Sequence, residues 1–117
     1  IENIRDKAGI LRLVLFANET EFDKEKPSWE AAYDKQSLTG SIFHLKIELT
    51  PGTYALSVLD DTNGNGRMEY SFLGFPREGF GFSNFVQKGI RKPRFTDFCF
   101  TIKKEEILPI TVYMKYF

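Results

Sequence analysis

A chain of 117 residues and 13.5 kDa holds one core, since two domains of ordinary size need more chain. Apolar residues at 42% beside charged residues at 27% exclude a disordered polymer, and the longest apolar runs are strand-length rather than the roughly 20 residues of a membrane-spanning helix. Sixteen basic side chains against sixteen acidic ones, with one Cys and one His, exclude a global basic field for nucleic acid, an internal disulfide and a Cys/His zinc cluster.

The first residue is Ile rather than Met, so a fragment or processed form is expected. Residues 10–17, I-L-R-L-V-L-F-A, are apolar on both alternating faces apart from Arg12, which predicts a central strand covered on two sides. Residues 18–35 turn polar, and Pro27 stands just ahead of S-W-E-A-A-Y. That pattern predicts a loop holding about one helical turn with Ser28 as N-cap. From residue 41 to 49, Phe43, Leu45, Ile47 and Leu49 alternate with His44, Lys46 and Glu48, the signature of a half-buried strand.

Pro51 and Gly52 then suit the central positions of a type II turn, after which Tyr54, Leu56 and Val58 restart the alternation. Residues 60–66 form a turn cluster with two Asn-Gly pairs, and residues 72–93 form a long aromatic, Gly-bearing excursion without a steady period. Phe98, Phe100 and Ile102 make one more alternating set, and Leu108, Ile110, Val112, Met114 and Tyr116 make the last. Five or more short strands with hardly any helix predict an all-β fold: one antiparallel β-sandwich of about seven strands over residues 1–117, with a small barrel as the alternative.

Two stretches carry a family resemblance. The run L-T-P-G-T-Y-A-L-S-V at residues 49–58 resembles the turn and strand of prealbumin-like and carboxypeptidase-regulatory-like β-sandwich modules. A longer pattern comprises D-T-N-G-N-G-R-M-E at 61–69, F-L-G-F-P-R-E-G-F-G-F-S-N at 72–84 and P-x-F-x-D-x-x-F at 93–100. It resembles a bacterial extracytoplasmic family, domain of unknown function family 2141. The sequence departs from that pattern at Asp60, where His is expected, and at Glu69, where Asp is commoner. The resemblance implies export, a periplasmic, secreted or lipoprotein-anchored location, and a prealbumin-like or immunoglobulin-like sandwich whose N-terminal strand is cut short before Ile10. It implies no activity.

The residues themselves offer three candidate chemistries. Asp61, Asn63 and Asn65 at alternate positions before Gly66 match the opening of a calcium loop. Arg67 offers a carbonyl, Glu69 a further carboxylate and Asp60 an extra ligand. Phe72 occupies the place of the bidentate Glu, so an EF-hand is excluded in favour of a weak structural Ca²⁺ loop between strands. A tight Asn-Gly hairpin accounts for the same residues. Second, G-F-G-F-S-N-F at 79–85 nearly copies an RNA-recognition signature, and Arg77, Lys88, Arg91, Lys92 and Arg94 join Phe80 and Phe82 in a candidate basic and aromatic surface patch. The two amphipathic helices of that fold are missing, so no nucleic acid partner is expected. The plainer reading has these phenylalanines cap one end of the sandwich while the glycines allow close backbone packing.

Third, Asp61 and Glu69 suit the paired carboxylates of a small envelope hydrolase. No nucleophile–base pair accompanies them: His44 lies on a polar strand face and Cys99 sits between two Phe residues. Trp29 is either a sugar-stacking residue or a lid on the sandwich edge. The expected role is therefore an exported, non-enzymatic binding or accessory module for a protein or glycan partner at the cell envelope, without membrane insertion by this chain.

Overall fold

A computed structural model of the protein describes residues 1–5, 9–38, 40–61, 79–86 and 93–116. Among these described residues, five strands form one antiparallel sheet: β1 (Ile10–Phe16), β2 (Trp29–Asp34), β3 (Gly52–Asp61), β4 (Gly79–Phe82) and β5 (Cys99–Ile102). The order is β2-β1-β3-β4, and β5 lies on the same edge of β3 as β4, pairing with its first residues. The all-β, antiparallel expectation holds. Among the described residues no helix is long and apolar enough to cross a membrane.

Alternation along β1 explains why its apolar run is nearly continuous. Leu11, Leu13 and Leu15 are buried in one cluster with Leu56, Val58, Val112 and Met114, while Phe16 enters a second cluster, against which Val14 packs. Because successive strand side chains point to opposite faces, the two clusters lie on opposite faces of the sheet, which is covered on both sides as the sequence predicts. The second cluster is aromatic: Phe22 meets Phe16 and Phe98 edge-on at centroid distances of 5.2 and 5.0 Å, and Phe82 meets Phe98 at 4.9 Å. Two short helices deliver those rings, α1 (Glu19–Asp23) carrying Phe22 and α2 (Phe95–Phe98) carrying Phe95 and Phe98.

Four local expectations need correction. S-W-E-A-A-Y is not a helical turn capped by Ser28; Trp29–Asp34 is β2, because its own period-two alternation pairs it with β1 from Leu15–Trp29 to Ile10–Asp34. The helical turn lies earlier, where the Asn18 side chain accepts from the Glu21 N–H at 2.9 Å and the Glu21 carboxylate accepts from the Ala17 N–H and the Ser28 hydroxyl. Phe98 reaches the core from α2, so the strand begins at Cys99. Residues 41–49 keep their alternating burial at Phe43, Ile47 and Leu49, yet their backbone pairs at Phe43 with Ile1 and at Ser41 with Ile4, beside a single bridge at Ile42, and residues 44–49 form no strand. Finally, the aperiodic excursion contains β4, whose glycines hide its alternation from a hydrophobicity count.

Asn18 caps a helix that carries a core ring. Asn18→Ala is expected to cost about 1 kcal/mol, the usual value of an N-cap side chain, seen as a lower urea midpoint at unchanged slope.

Candidate functional site

Two consecutive aspartates end β3, and the strand's pleat sends them to opposite faces. Asp60 follows Leu56 and Val58 into the first cluster's face. There its Oδ1 accepts from the Lys35 ammonium and its Oδ2 from the Tyr116 hydroxyl, both at 2.5 Å. Asp61 faces the other way, and its Oδ2 accepts from Arg12 Nε at 2.6 Å. Lys35, Asp60 and Asp61 are each 0% exposed. A buried charge is tolerated only when paired and hydrogen-bonded, and each of these is.

Local structure places every partner. Arg12 stands on β1, next to Leu11, the residue opposite Asp60, and two residues from Ile10, opposite Asp61. Lys35 begins a 3-10 turn immediately after β2, with the Asp34 carboxylate accepting from the Gln36 N–H at 2.8 Å. Tyr116 arrives on the C-terminal segment, residues 111–116, which pairs with β4 through Phe80–Lys115 and Ser83–Val112 bridges. Its ring can lie across β4 because Gly79 is the residue opposite Asp60; a Cβ there would come within 2.2 Å of the Tyr116 ring. Gly81 does the same for Val112 Cγ1 and Met114 Sδ, which a Cβ would approach to 2.5 and 3.0 Å. The Arg5 guanidinium covers the Tyr116 ring at 4.2 Å from its centroid, and the Arg5 N–H donates to the tyrosine hydroxyl at 3.0 Å.

Burial, and then the hydrogen bond to Asp60, push the Tyr116 phenol above its ordinary value of 10.0. A raised folded pKa means that the neutral phenol stabilises the native state. The contribution is complete below the unfolded pKa and is lost as pH rises through the folded one. Stability should therefore fall above about pH 10, beyond the loss common to any tyrosine protein. Tyr116→Phe should remove that extra alkaline slope, which urea denaturation across an alkaline pH series would read.

The calcium expectation is overturned. Among the described residues no group of three or more His, Cys, Asp or Glu side chains can hold a metal ion. Asp61, the intended first ligand, is instead an ion-pair partner of Arg12, and Asp60, the intended extra ligand, is occupied by Lys35 and Tyr116. Asn63, Asn65, Arg67 and Glu69 lie outside the described residues. The surface patch is also not assembled as expected: Phe80 and Phe82 are core residues at 6% and 9% exposure, turned into the aromatic cluster while Gly79 and Gly81 face the other way. Arg94 is exposed and reaches Glu19 at 3.6 Å, and Arg77, Lys88, Arg91 and Lys92 lie outside the described residues.

His44 is exposed, Cys99 is a free, half-buried thiol 4.0 Å from the Thr96 carbonyl, and Trp29 packs against the first cluster as a lid does. Sequence reasoning misses Lys35, and it places Tyr116 on an apolar strand face without its role as a partner of Asp60. One signal is present: a lone Arg inside an apolar strand and an Asp pair closing another strand are unpaired charges only until the strands are laid side by side.

The sequence profile of a family described as an uncharacterized protein conserved in bacteria, DUF2141, matches residues 1–108. No curated protein and no solved structure matches the chain.

Proposed function

The chain belongs to the bacterial family of domains of unknown function numbered 2141, and on that premise we propose that it is a non-enzymatic binding or accessory module of the bacterial envelope. The observation that carries this reading is how its strand-end charges are spent. Lys35, Asp60 and Asp61 are fully buried and paired within the molecule, so these groups act on one another rather than on a substrate. An extracytoplasmic place goes with the family membership, and the partner is a protein or glycan of that compartment.

The finer fold reading is a β-sandwich of about seven strands. Its support is the pairing beyond the sheet: residues 111–115 bridge β4, Glu2 bridges Tyr113 in parallel, and Ile1 and Phe43 exchange hydrogen bonds at 2.9 and 2.8 Å. Those stretches lay a second layer over the first cluster, where Ile4, Val112 and Met114 are buried beside Leu11 and Leu13.

Ester, glycoside and phosphate substrates test the function directly. No turnover above a blank is expected. Turnover that disappears in both Asp61→Asn and Glu69→Gln variants of unchanged melting temperature would establish a hydrolase in its place.

A further inference from the structure

Residues 111–116 form a strap built almost wholly from contacts that a second copy can supply. On one side, the Phe80 N–H donates to the Lys115 carbonyl at 3.1 Å, the Lys115 N–H donates back to the Phe80 carbonyl at 2.7 Å, and the Asn84 N–H donates to the Thr111 carbonyl at 2.7 Å. On the other side, the Glu2 N–H donates to the Val112 carbonyl and the Met114 N–H to the Glu2 carbonyl. Val112 and Met114 drop over Gly81, and Tyr116 passes Gly79 to reach Asp60. The slot is defined by alternating side chains meeting glycines, so it selects this segment rather than strands in general.

The connection from β5 to the strap carries one left-handed residue, as do the flanking segments on the strap's two sides, at Asn3 and Asn84. Residues 103–106 close a turn in which the Glu106 N–H donates to the Lys103 carbonyl at 3.1 Å and its carboxylate accepts from the Lys103 N–H at 3.0 Å. Glu105 sits inside that turn at φ 59°, a left-handed conformation that costs any residue with a Cβ. Ile107 follows it, 85% exposed.

From these observations we infer that the protein forms dimers by exchanging its C-terminal strap, residues 111–116, between two copies. Every strap contact is remade in the exchanged pair, so the equilibrium is decided by the hinge and the association entropy. Opening the turn at residues 103–106 releases Glu105 from its left-handed conformation in both copies, and the two extended hinges run together, covering Ile107. The Tyr116–Asp60 hydrogen bond is the latch that delays departure of the strap without favouring either state.

Light scattering on the whole chain, equilibrated over a concentration series, measures the dimer fraction. Glu105→Gly relieves the closed turn and should lower the dimerisation constant about tenfold or more, because two hinges contribute. Tyr116→Phe should leave that constant near its original value while speeding interconversion of isolated dimer and monomer. Deleting Glu105 and Glu106 together removes the closed turn and leaves a shorter connection between Ile102 and Thr111, which favours exchange, and a folded dimer is expected. A folded monomer from that deletion overturns the proposal. Should the deletion fail to fold, the full-length variants decide: absence of any dimer, or a dimer fraction that Glu105→Gly leaves unchanged, overturns it equally.

Discussion

Lys35→Met is expected to destabilise the protein by about 3–5 kcal/mol, the usual consequence of leaving one member of a buried ion pair without its partner. Methionine fills most of the volume, so the cost is electrostatic: Asp60, 0% exposed, keeps the Tyr116 hydroxyl but loses the ammonium at 2.5 Å. For a domain of this size the melting temperature should fall by roughly 10–20 °C. The complementary experiment separates charge from packing. Lys35→Met combined with Asp60→Leu and Tyr116→Phe removes every polar atom of the set at once, and apolar replacement of a buried pair is often neutral or stabilising. The triple variant should therefore recover most of what the single variant loses. Equal instability of the two would mean that Lys35 acts through contacts other than Asp60.

The same cluster shows where sequence reasoning reaches and where it stops. Hydrophobic alternation is a local property, so β1, β3 and the burial of Val112 and Met114 are legible from it. Trp29–Asp34 reads as helix because a Ser after a Pro is a helix-start signal, whereas the structure is decided by a neighbour: β1 offers a free edge, and the ladder formed with it outweighs a single helical turn. Lys35 looks like a surface residue and Tyr116 only like the end of an apolar alternation, until β2, β3 and the C-terminal segment are brought together around Asp60, at sequence separations of 25 and 56 residues. The Asp-rich turn is legible only as two alternatives, liganding or turning. Pairing across β1 and β3 commits Asp61 to Arg12, a partner that spacing along one strand cannot reveal. The glycines of G-F-G-F announce close backbone packing, but what approaches them is a non-local fact as well.

That close approach sets the second large effect. Gly79→Ala is expected to cost about 3 kcal/mol or more. An extra methyl in a packed site costs about 1–3 kcal/mol by itself, and a lost hydrogen bond to a charged group adds about 1.5–3 kcal/mol. Both terms apply, because the methyl that this substitution adds and the Tyr116 ring need the same space. The ring is held on one face by the Arg5 guanidinium and at its tip by Asp60, so it cannot turn aside while keeping both partners. Backbone strain is not the cause, since Gly79 is a strand residue paired with Asp60 and lies outside the left-handed set. The cause is tested by a double-mutant cycle in urea denaturation. In a Tyr116→Ala background the space is empty, and Gly79→Ala should then cost well under about 1 kcal/mol, leaving a coupling of about 2 kcal/mol between the two positions. If Gly79→Ala costs the same with and without the ring, the glycine serves the backbone of β4 rather than the passage of Tyr116 to Asp60.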